Sequence, residues 1–339
     1  MRKVLIIPTS LLLFFAACYT GYWFWAASTL KSGLENWKGV QEEKGYDVRY
    51  RADSPAGFPF DLILTLEETV LNSPSGWLWQ AAGVELKASP LDLSELTLTT
   101  FGTQSIAIRP LSHGAQNHVR AADSRVRVVM GRDGKAIEAN GTLFDFIDQN
   151  RNGINLRGRE LRFAFRQQES QELAASPETA HFTLYAGDIS FPNLNALFLG
   201  KDLRSLELEG DAHEGLPQEL SPQAFDLWRE RGGYIEISRL ETDWQPLKLS
   251  ASGKLELDSE RRLSGNLDVW WQNLPGLVDK ATAAGLIRQD AVLPLKLGLL
   301  ALPSRSGDDG AEERLLPLVF RSGQIFLGPV AIGRLPPLL

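Results

Sequence analysis

The sequence predicts a mainly β protein: one large antiparallel sheet, rolled or groove-forming, with a few short helices, preceded by one N-terminal transmembrane helix. Three observations predict this. From Asp47 onward apolar residues recur at every second position, the period of a half-buried strand. Turns rich in Gly, Pro and Asp interrupt these runs every ~8–15 residues, which suits antiparallel meanders better than βαβ units. Residues Val4 to Ala27 carry no charge.

That uncharged run follows Arg2 and Lys3, and Lys31 is the next charge. About 24 residues at roughly 1.5 Å each suffice to cross a hydrocarbon core. Val4, Leu12 and Phe15 are expected inside it. Trp23 and Trp25 fall at its far end, where aromatic rings favour the headgroup layer. The basic N-terminus is expected to stay in the cytoplasm, with everything after Ser28 across the membrane. Two other readings stay open. Val4 to Phe15 also resembles the core of a cleaved signal peptide, and Phe15-Ala16-Ala17-Cys18 a lipidation box. The apolar run continues through Trp25, which favours a retained anchor. The domains are therefore an anchor at 1–27, a flanking helix at 28–45 and a β-rich domain at 46–339. In the flanking helix Leu30, Leu34, Trp37 and Val40 fall near helical spacing.

Through the β-rich part, Val48 and Tyr50 alternate with Arg49 and Arg51. After Gly57-Phe58-Pro59-Phe60 the run Phe60, Leu62, Leu64, Leu66 alternates. Trp77 and Trp79, Val84 and Leu86, Leu91 to Leu98, and Ile106 and Ile108 continue it. Leu111 to Asp123 reads as a polar loop, and Leu143 to Gln149 as one or two helical turns. Leu161, Phe163 and Phe165 oppose Arg162 and Arg166. Leu194 to Leu199 is a short helix by pattern. Ser221-Pro222 opens a helix with a capping Ser and Pro at its first position. Four short runs then span Ile235 to Trp271. Leu274 to Ile287 has helical spacing, and Leu295, Leu297 and Leu299 return to period 2. Ser304 to Glu313 reads as a charged loop, followed by strands at Leu316–Phe320 and Ile325–Leu327. This gives about fifteen short strands and roughly three or four helices.

Composition narrows the chemistry. Of 339 residues, 43% are hydrophobic, enough for a substantial core without disulfides. Net charge −7 with no basic block argues against nucleic acid as a partner. Cys18 is the sole cysteine and lies in the anchor, so the β-rich part has no thiol chemistry and no cysteine zinc site. There is no nucleophile elbow, Walker loop or dinucleotide fingerprint. Asp148 to Gly153 matches the start of a calcium loop, but Arg159 stands where the bidentate Glu is required. Asn152-Gly153 is also a strong hairpin signal. His113 and His118 are badly spaced for zinc on one helix face. No catalytic residue, metal ligand or cofactor is therefore assigned.

Three stretches resemble a known family as a set. They are Gly57-Phe58-Pro59-Phe60; Trp228 to Gly265, with Trp244-Gln245-Pro246-Leu247 and Gly253-Lys254-Leu255-Glu256-Leu257-Asp258; and Leu316 to Pro336, with Ser322-Gly323-Gln324 and Leu327-Gly328-Pro329. The chain resembles the bacterial domain of unknown function 2125 from about Tyr46 to its end. This implies an N-terminally anchored envelope protein with no assigned activity. The layout is more distantly similar to AsmA-like envelope proteins, which implies an apolar groove and a link to lipids by fold-level analogy.

The expected protein is then a single-pass protein of the bacterial inner membrane with a non-catalytic periplasmic domain. Its partners would be that membrane, lipid or another apolar ligand, and other envelope proteins. A scaffold with a closed core is the alternative, and a hydrolase without a recognisable motif comes third. Trp270 and Trp271 are adjacent in one strand, so they point to opposite faces. Either the helix after Leu274 covers the second face, or one Trp lines a groove for acyl chains together with Phe163 and Phe165.

Overall fold

The computed structural model describes residues 2–74, 76–108, 117–131, 134–148, 155–168, 179–191, 200–217, 221–245, 247–285, 287–307, 309–328 and 330–338. Helix α1 (Arg2–Glu43) is unbroken over 42 residues, so anchor and flanking helix are one element. It ends where Tyr46 N–H donates back to the Gln41 carbonyl and Gly45 takes φ +87, a conformation that suits glycine.

Nine strands follow: β1 (Asp47–Ala52), β2 (Leu62–Asn72), β3 (Trp77–Ser89), β4 (Asp92–Ile108), β5 (Asn117–Gly131), β6 (Gly134–Asp148), β7 (Leu156–Gln168), β8 (Thr179–Ser190) and β9 (Asp202–His213). After α2 (Pro222–Glu230) come β10 (Tyr234–Trp244), β11 (Leu247–Leu257) and β12 (Leu263–Gln272). Helices α3 (Leu274–Ala283) and α4 (Val292–Leu300) precede five short strands. These are β13 (Ser304–Ser306), β14 (Glu312–Leu315), β15 (Leu318–Arg321), β16 (Gln324–Leu327) and β17 (Val330–Arg334). The seventeen strands form one sheet.

From β1 to β12 each strand pairs antiparallel with the next in sequence. The far edge of β12 takes β14 and β15, with β13, β16 and β17 completing the end. The sheet is open. The expectation of a large antiparallel sheet with few helices is met.

Register shows how period 2 became two faces. One row runs Leu64, Leu86, Leu98, Val126, Ala139, Phe163, Leu184, Leu208, Leu240, Ala251, Val269, one residue from each of β2 to β12. The next row runs Thr65, Glu85, Thr99, Arg125, Asn140, Arg162, Tyr185, Glu207, Glu241, Ser250, Trp270. These two rows place a mainly apolar line on one face and a mainly polar line on the other, as alternation dictates, with Thr100 and Ser124 hydrogen-bonded to each other two residues along on the apolar side.

Bulges preserve that division. Register shifts between Arg49 and Arg51, where β1 meets β2, and Glu68 has φ 52. The extra residue leaves Glu68 exposed and puts Thr69 on the apolar side after Leu62, Leu64 and Leu66.

Helices cover the apolar face at both ends. Trp23, Ala26 and Ala27 of α1 are buried against Leu62 and Ala88, and Leu30 and Leu34 lie over Leu64, Leu66, Val84 and Leu86. At the other end Leu274 of α3 is buried with Ile237, Leu247, Leu255, Leu267, Val269 and Trp271. Leu299 of α4 packs on the same cluster.

Several sequence expectations are corrected. Leu143 to Asp148 belongs to β6, not to a helical turn. Leu295, Leu297 and Leu299 lie in helix α4. Its ending depends on a distant residue: Arg314 Nη1 donates to the carbonyls of Leu299, Leu300 and Leu302 at 3.2, 2.7 and 3.3 Å, satisfying groups that a helix end leaves open. Residues 117–123 are strand, and the stretch at 304–313 contains β13 and the start of β14. The expected helix at 194–199 and the Asn152-Gly153 turn lie outside the described residues.

Candidate functional site

Between α1 and the apolar face of β1–β4 lies a cavity of about 520 Å³, within the roughly 300–1,000 Å³ of small-molecule sites. Leu30, Leu34 and Trp37 line it from the helix. Tyr50, Leu66, Leu71, Trp79, Leu86, Leu96 and Leu98 line it from the strands. Its wall is overwhelmingly hydrocarbon and aromatic.

The void has a local origin. Gly33 lies on the lining face of α1 between Leu30 and Leu34, and a Cβ placed there meets no atom within 4 Å. A helix turn that would ordinarily press a side chain onto the sheet therefore stands off it. The bulge at Glu68 contributes the other unusual feature. It turns Thr69 into the wall, where the residue is 6% exposed and its Oγ1 has no hydrogen-bond partner. A buried hydroxyl without a partner is costly, so this position carries a local penalty in the wall.

Electrostatics keep the site neutral. Burial pushes the Tyr50 phenol up, and the carboxylates of Glu35 and Glu42 push it further. Tyr50 therefore presents a neutral phenol at ordinary pH. Lys38 Nζ stands 5.5 Å from its ring centroid.

The sequence-derived groove residues separate. Phe163, Phe165 and Trp271 lie on the apolar face by register, but none lines this cavity. Phe163 and Phe165 are half-buried in mid-sheet. Trp271 is shut into the far core, with its Nε1 donating to the Leu316 carbonyl at 2.8 Å. Trp270 faces the polar side, where the Arg305 guanidinium sits 4.2 Å from its ring centroid and donates to Ser250 Oγ at 2.9 Å. Helix α3 covers the Trp271 side, not the Trp270 side. Of the anchor residues, Phe15 and Trp25 are exposed and Trp23 is buried against the sheet. The side chains of Val4 and Leu12 lie outside the described ones.

A second cavity, about 580 Å³, lies on the polar face beside Trp270. Its charges engage one another: Arg239 Nε meets Glu241 at 2.8 Å, and Arg305 Nε meets Glu313 at 2.7 Å. The Arg239 hydrogen bond holds the Glu241 carboxyl below its usual range, against the opposing effect of burial. Among the described residues no group of three or more His, Cys, Asp or Glu is placed to hold a metal ion.

Sequence spacing had marked Leu30, Leu34 and Trp37 as one helix face. It missed Tyr50, Thr69 and Trp79 as parts of the same site. The available signal was Gly33, a small residue inside that apolar stripe.

Fold and site together define an open antiparallel sheet with one largely apolar face among the described residues and a ligand-sized cavity under its first helix. The chain belongs to the DUF2125 family, described as uncharacterized protein conserved in bacteria, which matches residues 23–336. No curated protein and no solved structure matches the chain. The likeness to AsmA-like envelope proteins therefore remains an expectation. Among the described residues, no helix is long and apolar enough to cross a membrane.

Proposed function

We propose that this chain is a non-catalytic protein that binds lipid, or another ligand with a long hydrocarbon tail, in the cavity under α1. The cavity itself carries the reading. A hydrocarbon-walled space bordered by a sheet face and a helix suits an apolar chain. The proposal includes retention at the bacterial inner membrane by the N-terminal run Val4 to Ala27, with the sheet in the periplasm. The uncharged run behind Arg2 and Lys3 supports that placement.

Gly33→Phe puts a ring into the cavity without touching the closed end. Full-length wild type and variant are extracted in mild detergent, and lipid bound to each is measured by native mass spectrometry. The wild type is expected to carry bound lipid and the variant about tenfold less, with melting temperatures that agree. A wild type bare of lipid, or equal occupancy in both, overturns the assignment. A second reading, an envelope scaffold with a closed core, is favoured by the far end alone, where Trp271, Val269 and Leu274 of α3 are buried together.

A further inference from the structure

Two turns at one end of the sheet carry exposed apolar residues at their tips. Phe60 is 82% exposed and Phe58 51%, on the turn before β2. Leu91 is 77% exposed, on the turn between β3 and β4. Singly exposed apolar residues need no explanation, but these three are held around one stretch of one helix. Tyr19 Oη donates to the Pro59 carbonyl and Tyr22 Oη to the Pro90 carbonyl, each at 2.6 Å. Trp23 Nε1 donates to the Asp61 carbonyl at 3.1 Å, and its ring meets Phe58 edge-on at 5.5 Å. The first turn is built to hold this shape: Gly57 has φ +96, and a Cβ there would lie 2.6 Å from the Asp61 carbonyl oxygen.

The helix at this level is the end of the uncharged run. Phe24 and Trp25, beside the anchored tyrosines, are themselves more than half exposed. The neighbouring charges are already engaged. Asp61 pairs with Lys87 at 3.0 Å, and Asp92 accepts from both the N–H and the hydroxyl of Ser94.

We infer that the tips Phe58, Phe60 and Leu91 insert into the lipid bilayer as a rim, seating this end of the sheet in the interface. The inference rests on the proposal that α1 anchors the chain. Leu93, two residues beyond Leu91, lines the cavity under α1. The rim thus sets the cavity beside the membrane, so a hydrocarbon chain passes between bilayer and cavity with little exposure to water. Aromatic rings at the helix end and apolar tips from the sheet are the composition that an interface favours.

The test uses the full chain in vesicles of phosphatidylethanolamine and phosphatidylglycerol, in a Cys18→Ser background. Single Phe60→Cys and Leu91→Cys variants carry an environment-sensitive NBD label. Phe15→Cys reports the helix, and Lys201→Cys reports the opposite end of the strands, before β9. Labels at positions 60 and 91 are expected to shift to the blue and to be quenched by doxyl-labelled lipid as the label at 15 is. The label at 201 is expected to stay water-like. Labels at 60 and 91 that behave like 201, while 15 is quenched, overturn the rim and leave the anchor standing. A label at 15 that lipid does not quench removes the anchor, and the rim with it. Both tips are exposed, so neither substitution disturbs the core.

Discussion

At the β10–β12 end of the sheet, Ile237, Leu247, Val269 and Trp271 meet Leu274 of α3 and form a closed core. At the β1–β4 end, Leu64, Leu66, Val84 and Leu86 meet α1 through Leu30 and Leu34, and a cavity of about 520 Å³ remains. Both ends use the same face of the same sheet, similar aliphatic residues and a helical cover. They differ in how the cover is knit. The far end is tied by Trp271 Nε1 to the Leu316 carbonyl and by Arg314 to three carbonyls at the end of α4. Helix α1 is tied through Tyr19, Tyr22 and Trp23 at its middle, while its later turns carry Gly33 over the void. Tight pinning at one point and a missing side chain further on yield a space instead of a core.

The largest expected effect lies at the closed end. Trp271→Ala removes a buried ring that has no room to be replaced, and is expected to cost about 3–5 kcal/mol in denaturant unfolding. Leu34→Ala at the open end faces the cavity on one side and is expected to cost under about 2 kcal/mol, because fewer packed neighbours are lost. Equal costs would break the comparison, since they would mean that both ends pack alike.

A smaller effect of opposite sign is expected at Thr69. Replacing it by Val keeps the shape and removes the unpartnered hydroxyl. Thr69→Val is expected to stabilise the lipid-free chain by about 1 kcal/mol. Calorimetric melting checks this. A variant less stable than wild type would show that Oγ1 has a partner in the folded protein.

The division into an apolar and a polar face was legible from period 2 alone. Any register that keeps one face buried puts Leu64, Leu86 and Leu98 on that face, because a one-residue slip exposes them all. The covering face of α1 was legible from Leu30, Leu34 and Trp37. The cavity was not, since it depends on where a glycine on one element falls opposite a bulge on another. Alternation also misled at Leu295, Leu297 and Leu299. Leucines two apart suit a strand, but Arg314, distant in sequence, holds the end of a helix there. Trp270 and Trp271 were rightly expected on opposite faces. The chain turns from β12 into α3 through Asn273 at φ 57, a backbone conformation that no hydrophobic pattern encodes.

The central claim is that hydrocarbon enters the open end of the apolar face and not the closed end. A fatty acid with a diazirine on its chain, photolysed with the full-length protein in detergent, reads this directly once the labelled peptides are mapped by mass spectrometry. The account predicts saturable labelling at Leu34, Tyr50, Leu66, Trp79 and Leu98, reduced by excess unlabelled fatty acid and abolished by Gly33→Phe. Labelling concentrated between Leu247 and Phe320, or unaffected by competitor, would contradict it.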